Sequence, residues 1–209
     1  MDALSILREI AGKVAPGRPP AYTEAHALMG LEAIGSGLGI GRQQLSRELG
    51  LGEGTIRTLV GRMKAQGLVK TSRGGMHLTG DGEAALEALG ELFWGCGLPP
   101  LSITVGPTNY AVLIRGAASE VKGGIEQRDA AIIAGASGAT TLILDDQGLR
   151  MPGMEAPLAE SVRTLIMEEL GPSPGDAIII GSSDDPILAE MAAKSAALKL
   201  LQSLSLIHI

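Results

Sequence analysis

Apolar residues in the first half of the chain recur at the spacing of amphipathic helices. In the clearest case, four apolar residues follow the i, i+3, i+4, i+7 spacing of one helix face: Ile56, Leu59, Val60 and Met63. The whole first half predicts a short N-terminal helix, helices over 22–35, 41–49, 53–66 and 80–93, and strands over 68–71 and 76–79. Gly74 and Gly75 fit the tight turn of a hairpin between those two strands.

In the second half, short apolar runs of strand length alternate with helical patterns. They predict strands over 102–105, 110–115, 140–145, 148–151 and 177–181, and helices over 119–135, 157–170 and 185–201. This order is typical of one mixed sheet with helices on a face. The predicted fold class is therefore α+β, with a C-terminal mixed α/β sheet domain.

Two proline- and glycine-rich breaks divide the chain, APGRPP at 15–20 and GCGLPP at 95–100. We predict an N-terminal domain over 1–96 and a second domain over 97–202. Residues 203–209 end in the apolar string LSLIHI after a helix that looks complete. We therefore predict that they form a non-native tail.

Composition narrows the class of protein. The chain has four aromatic residues, so its core must be aliphatic. No apolar run approaches the roughly 18 residues that span a bilayer, and no membrane association is predicted. Cys96 is the single cysteine, so no internal disulfide or cysteine metal cluster can form. These features predict a cytoplasmic protein.

Positive charge is concentrated in one segment of an acidic chain. The formal net charge is −6, yet residues 42–73 carry seven cations against Glu48 and Glu53, a local net charge of +5. The seven are Arg42, Arg47, Arg57, Arg62, Lys64, Lys70 and Arg73. The excess of anions lies in residues 97–209, with thirteen acidic and seven basic residues. Such a segment is expected to attract phosphates.

The face opposite the apolar stripe of helix 53–66 is small. It consists of Gly54, Thr58 and Gly61, with Arg57 and Arg62 on either side. A glycine inside a helix costs roughly 0.5–1 kcal/mol relative to alanine. Two glycines on one exposed face indicate close approach of the helix backbone to another surface.

The motifs of the first half resemble those of the winged helix-turn-helix family. They are R-x-x-L-S-x-x-L-G-L-x-x-x-T-I-R at 42–57, G-L-V at 67–69 and L-T-x-x-G at 78–82. In that family the second helix of the unit enters the DNA major groove and the hairpin tip touches the backbone or minor groove. The resemblance implies contacts to double-stranded DNA from Arg42, Gln43, Gln44, Arg47, Thr55, Arg57, Thr58, Arg62 and Arg73.

The second half resembles a domain of uncharacterised function that follows a winged helix in certain archaeal proteins. The matching motifs are R-G-A at 115–117, K-x-G-x-E-Q-R-D-A-A-I across 122–132, G-A-x-G-A-T-T-L at 135–142 and I-I-G-S-S-D-D at 179–185. The resemblance implies a two-domain regulator and supplies no chemistry.

Charged and polar residues at a predicted strand end and the next helix start form a candidate site for a small anionic ligand. They are Arg115, Lys122, Gln127 and Arg128. The alternative is a structural ion pair of Arg128 with Asp129 or Glu126, or plain surface charge. Likewise, residues 181–183 either hold an anion or form a turn capped by Asp185.

No catalytic residue, metal site or cofactor is predicted. His26 and His77 have no partner at ligand spacing, and the chain contains neither a Walker loop nor a dinucleotide fingerprint. The leading hypothesis is a cytoplasmic, homodimeric transcriptional regulator, paired through helix 80–93 or the last helix. The alternatives are an enzyme for which the winged helix is a docking element, and a winged helix used for protein assembly.

Overall fold

The computed structural model describes residues 3–13, 19–37 and 39–207, with side chains to Leu204. Most of the predicted break at 15–20 and the last two residues of the predicted tail lie outside the described residues. The chain forms two compact units, Met1–Gly90 and Glu91–Ile209, here called the first and second domains. The predicted α+β class with a helical N-terminal domain is confirmed.

The described residues of the first domain form five helices and a hairpin. The helices are α1 (Ala3–Ala11), α2 (Glu24–Gly35), α3 (Arg42–Glu48), α4 (Glu53–Ala65) and α5 (Gly80–Leu92), which runs two residues beyond the domain boundary. The hairpin consists of β1 (Val69–Ser72) and β2 (Gly75–Leu78), paired antiparallel from Val69–Leu78 to Ser72–Gly75. Ile40 adds an isolated bridge to Met76 that the sequence did not predict.

The second domain is built on a five-stranded sheet. Its strands are β3 (Phe93–Leu98), β4 (Thr108–Ile114), β5 (Gly138–Asp145), β6 (Gly148–Arg150) and β7 (Ala177–Ser183), in the order β3-β4-β7-β5-β6. Every pairing among them is antiparallel, so the prediction of a mixed sheet is corrected. The helical connection between β4 and β5 suggested parallel neighbours. These strands do run in the same direction, but β7 lies between them.

Helices cover both faces of this sheet, where the sequence predicted one. The helix α7 (Glu160–Leu170) packs Val162, Ile166 and Leu170 against Ile178, Ile180 and other core residues of one face. The helices α6 (Ile125–Ile133) and α8 (Pro186–Ile207) pack on the other face. A Cβ added to Gly181 would collide with the backbone of Ala189 and Ala193, so this glycine lets α8 lie directly on β7.

Several element boundaries differ from the predictions. Residues 93–98 form β3, whereas the predicted strand at 102–105 is absent. The predicted domain boundary after Cys96 therefore falls inside β3, because part of the glycine-rich stretch is an edge strand and not a linker. The helix α6 begins only at Ile125, since Gly124 adopts a left-handed φ of 78° before it. The helix α8 continues through the predicted tail to Ile207.

Thr141 is a buried polar residue of β5 whose hydroxyl has no hydrogen-bond partner among the described residues. Burying a hydroxyl without a partner costs free energy, whereas a valine methyl group fills the same space. Its neighbour Thr140 differs, because its hydroxyl donates to the Ile103 carbonyl at 2.6 Å.

We expect Thr141→Val to raise the free energy of unfolding by about 1 kcal/mol, because it removes an unpartnered buried hydroxyl. Thr140→Val is the matched control and should lower it by about 1 kcal/mol, because a made hydrogen bond is lost. Denaturant unfolding of the two variants measures both effects. Destabilisation by both substitutions would contradict this account of Thr141.

His26 caps the start of α2 in its neutral form. The backbone N–H of Thr23 donates to His26 Nδ1 at 3.1 Å, and the Thr23 hydroxyl lies 2.9 Å from the same nitrogen. Both contacts use Nδ1 as an acceptor, so protonation of that nitrogen would break them. Burial lowers the pKa of His26 from 6.5 to about 4.

We expect the first domain to lose stability as the pH falls from about 6.5 to about 4, since the unfolded chain binds a proton at His26 over this range. The variant His26→Gln keeps an acceptor at the third helical position but does not titrate. Its thermal midpoint should therefore fall less than that of the wild type between pH 7 and pH 4.5. Parallel pH profiles would contradict the assignment.

Candidate nucleic-acid interface

The apolar stripe of α4 is buried as predicted, and this fixes the rotation of the helix. Ile56, Leu59 and Met63 are fully buried, and Val60 is 5% exposed. The turn before α4 is short because Gly50 adopts a φ of 63° and the Leu51 N–H donates to the Ser46 carbonyl at 3.1 Å. The helix-turn-helix unit of α3 and α4 therefore forms as the sequence predicted.

The small face of α4 is exposed. Gly54, Thr58 and Gly61 all lie at the surface, and beyond the adjacent helix backbone no atom of the described residues lies within 4 Å of a Cβ added to either glycine. The Thr58 hydroxyl donates to the Gly54 carbonyl at 3.2 Å. Packing within the chain thus gives no reason for the two glycines, which leave a smooth strip of helix backbone facing outward.

Three cations surround a recess between the helix-turn-helix unit and the hairpin. The recess has a volume of about 400 Å³ and is lined by Arg42 at the start of α3, Arg57 and Lys64 on α4, and four further residues: Val60, Gly61, Thr71 and Met76. Phosphate oxygens are attracted to such a convergence of positive charge. The other four lining residues carry no charge, so the three cations set the charge of the recess.

The cations of this recess have no carboxylate partner among the described residues. Within residues 3–13, 19–37 and 39–207, Arg42, Arg57 and Lys64 make no ion pair or hydrogen bond through their side chains. Arg73 is exposed at the hairpin tip, and Arg47 is exposed on α3. These five residues are here called the cationic surface. Their charge remains available to a partner.

The other predicted contacts are polar. Gln43 is exposed on α3, whereas Gln44 donates its amide to Glu48 at 2.9 Å. Thr55 is half-buried at the start of α4. Two of these residues thus present side chains beside the cationic surface, and Gln44 is partly engaged.

Arg62 does not face the cationic surface. Its guanidinium donates to the carbonyls of Ile10 at 2.8 Å and Gly12 at 2.5 Å, at the end of α1. It also lies 5.7 Å from the centre of the Tyr22 ring. Unpaired carbonyls at a helix C-terminus favour a cation. The prediction that Arg62 faces DNA is therefore corrected, because α1 captures it.

Lys64 was absent from the predicted DNA contacts, although its spacing from Arg57 in the sequence places the two residues on the same side of the helix. It lies seven residues after Arg57, and seven residues are close to two helical turns. The two side chains therefore project from the same side of α4, with Gly61 between them.

None of the predicted ligand-binding residues of the second domain lines either of the two recesses that meet at Arg150. Arg115 and Lys122 are exposed, whereas Gln127 is 5% exposed and faces the core. The Arg128 guanidinium lies 3.2 Å from Asp129, which is the structural ion pair considered as the alternative. The described structure thus leaves this ligand site a prediction.

Two recesses in the second domain meet at Arg150. One, of about 630 Å³, is also lined by Arg163 and Glu155, and the other, of about 500 Å³, by Asp145 and Asp146. Arg150 pairs with Asp145 at 2.6 Å and holds the pKa of that carboxyl below its usual value. Arg163 pairs with Glu160 at 3.3 Å. Both arginines are thus already paired.

The turn after β7 is explained by structural hydrogen bonds. Ser182 is fully buried and donates its hydroxyl to Asn109 at 2.7 Å, while Asp185 accepts the N–H of Ile187 at 2.8 Å as the cap of α8. Burial and the charge of Glu169 raise the pKa of the Cys96 thiol, so it is not an activated nucleophile. No described group of three or more histidine, cysteine or acidic residues could hold a metal.

Comparisons with known proteins agree with the two-domain organisation. Residues 30–93 match the family model of the CggR N-terminal DNA binding domain, and residues 105–200 match that of a domain of unknown function, DUF4443. A solved structure of a hypothetical protein from Pyrococcus horikoshii OT3 is similar at a TM-score of 0.73 and 28% identity, covering 87% of this chain and 94% of that one. No curated protein matches the chain significantly.

These matches confirm the resemblance predicted from the motifs, a winged helix-turn-helix followed by a domain of uncharacterised function in archaeal proteins. The first match includes every residue of the cationic surface. None of the described helices is long and apolar enough to cross a membrane.

Proposed function

We propose that this protein is a cytoplasmic transcriptional regulator that binds double-stranded DNA through its first domain and acts as a homodimer. The observation that supports it most is that Arg42, Arg57 and Lys64 line one recess between α4 and the hairpin and have no partner in the described part of the chain. A family model described as a DNA binding domain matches the same segment.

The charge of the cationic surface suits the DNA backbone. Each phosphate contact from lysine or arginine releases condensed counterions, so binding weakens steeply with salt. In the proposal, Arg42, Arg57 and Lys64 neutralise phosphates along one groove edge, and Arg73 reaches the backbone or minor groove from the hairpin tip. The acidic second domain, which holds the excess of negative charge, contributes no such attraction.

The exposed face of α4 sets how the sequence of the duplex is recognised. Gly54 and Gly61 contribute no side chain, so few groups besides Thr55, Arg57 and Thr58 can reach base edges. The glycines instead let the helix backbone lie close to the bases. We therefore propose that recognition depends on a small number of direct contacts and on the shape of the duplex.

In this proposal, the second domain forms the contacts of the homodimer. A small anionic ligand bound by Arg115, Lys122, Gln127 and Arg128 stays a prediction, because these residues are not gathered in a described recess. Such a ligand would regulate DNA binding only if it bound two states of the protein with different affinities.

The main test measures phosphate contacts without knowledge of the operator, since these contacts do not depend on sequence. We expect Arg57→Ala and Lys64→Ala each to weaken binding to a mixed-sequence duplex of about two helical turns. Each should reduce the slope of log K against log salt by about 1, and the double variant by about 2. Fluorescence anisotropy titrations at several salt concentrations measure the slope.

Arg62→Ala is the matched control on the same helix. It should leave the salt slope unchanged and lower the free energy of unfolding by about 1–3 kcal/mol, because two carbonyls at the end of α1 lose their donor. An unchanged slope in the Arg57 and Lys64 variants, or a reduced slope in the Arg62 variant, would contradict the proposed interface.

Gly61→Ala tests the close approach of α4 to DNA. Beyond the adjacent helix backbone, the added methyl group meets no described atom within 4 Å, and it should stabilise the helix by about 0.5–1 kcal/mol. We nevertheless expect weaker DNA binding, because the methyl group holds the backbone away from the duplex. Thermal unfolding and duplex titration of one preparation measure both effects.

Gly90→Ala is its control, since Gly90 is an exposed glycine of α5 whose added Cβ is equally free of contacts. This variant should gain similar stability and bind DNA as the wild type does. If Gly61→Ala also binds normally, α4 does not approach DNA through its glycine face.

A further inference from the structure

The two edges of the second-domain sheet differ in their protection. At one edge, β6 is three residues long and ends in Arg150, which is paired with Asp145. At the other edge, β3 has six residues, none of them charged and none proline, and pairs with β4 without a bulge. Native proteins usually protect a free edge with charges, prolines, bulges or short strands. The edge at β3 has none of these.

The hydrogen-bonding pattern shows which groups of β3 point outward. The Arg115 N–H donates to the Leu92 carbonyl at 3.1 Å, so this pair is hydrogen-bonded in the β3–β4 ladder. Hydrogen-bonded and non-hydrogen-bonded pairs alternate along an antiparallel ladder. Trp94 and Cys96 therefore bond to β4, while the backbone groups of three residues point to the free edge: Phe93, Gly95 and Gly97.

These outward groups are arranged symmetrically about Gly95. An antiparallel pair of identical strands centred there would join Gly95 to its own copy and Phe93 to Gly97 of the second copy. In a register centred on Trp94, Gly97 would have to pair with a residue of the helix α5. In a register centred on Cys96, Phe93 would have to pair with Pro99, which lacks an N–H. Gly95 is thus the centre that uses the whole outward-facing segment.

We propose that β3 is the self-association surface, and that two copies of this chain join their five-stranded sheets by antiparallel pairing of β3 about a two-fold axis at Gly95. This inference deepens the dimer part of the proposed function and does not rest on DNA binding.

The proposal replaces the two dimer surfaces predicted from the sequence. Of the apolar residues at 80–93 that suggested the first, Leu89 is 1% exposed and Phe93, which begins β3, is 4% exposed, while Leu86 and Leu92 are half-buried. In the last helix, Leu198, Leu200 and Leu201 are buried. Among the described side chains, neither helix exposes a large apolar residue, whereas Trp94 on β3 is 37% exposed.

A proline at position 97 tests the pairing. Because the Gly97 N–H points outward, Gly97→Pro removes a donor from the interface and none from the bonds to β4. Sedimentation equilibrium without DNA should give twice the 21.4 kDa chain mass for the wild type and the single chain mass for Gly97→Pro. Gly97→Ala keeps the N–H and should remain a dimer, and circular dichroism checks that both variants fold.

A disulfide tests the register. In the proposed pairing, Trp94 lies opposite Cys96 of the second copy in a non-hydrogen-bonded pair, with Cα atoms about 4.5 Å apart, within the range for a disulfide. Under mild oxidation, Trp94→Cys should form a covalent dimer that reducing agent dissolves. The double variant Trp94→Cys, Cys96→Ser should not, because like positions are then about 7–8 Å apart on the diagonal.

The outcomes separate this proposal from the DNA-binding one. A monomeric wild type at tens of micromolar, or a dimeric Gly97→Pro, overturns self-association through β3, and a disulfide formed by wild-type Cys96 overturns the Gly95 register. A wild-type dimer that fails to bind any duplex overturns the proposed function and leaves the β3 dimer standing.

Discussion

The rotation of α4 about its own axis is the constraint on which the rest of the candidate interface depends. Burying Ile56, Leu59 and Met63 fixes that rotation, and every other side chain of the helix follows from it. Arg57 and Lys64 then lie at the recess, and Gly54 and Gly61 face outward. Because the stripe is aliphatic and complete, a small rotation would expose apolar surface. The hydrophobic core of the first domain therefore also determines its electrostatics.

Most cations of the second domain pair with a carboxylate, whereas those around the recess of the first domain do not pair with any described carboxylate. Four of the seven cations of the second domain are paired with a carboxylate: Arg128, Arg150, Arg163 and Lys194. The cations of the recess in the first domain have no such partner in the described part of the chain. An unpaired cation at a surface is stable because water solvates it, and it exchanges that water for a phosphate at little cost. A paired cation must first lose its carboxylate. The position of the acidic residues thus leaves the cations around this recess unpaired among the described residues.

The sequence predicted those features that depend on short-range patterns. The stripe of α4, the turn before it and the hairpin follow from periodicity and glycine placement, and they are confirmed. The features it missed depend on contacts between distant segments. Arg62 is captured by carbonyls some fifty residues earlier, and β7 inserts between β4 and β5 from far along the chain. The strand β3 was missed because its two glycines and the following prolines resemble a linker, although hydrogen bonds to β4 hold it in the sheet.

The geometry of β3 bears on how a two-fold regulator would be assembled. The helix α5 ends at Leu92 and β3 begins at Phe93, so no linker separates the first domain from the edge strand. In a pair centred on Gly95, the two Phe93 residues lie four residues apart along the strands, a distance of about 14 Å at roughly 3.4 Å per residue. The two chains would then enter the shared sheet from opposite directions. That two-fold symmetry is the one that paired half-sites in DNA require, because a palindromic duplex presents identical contacts only to copies related by such an axis.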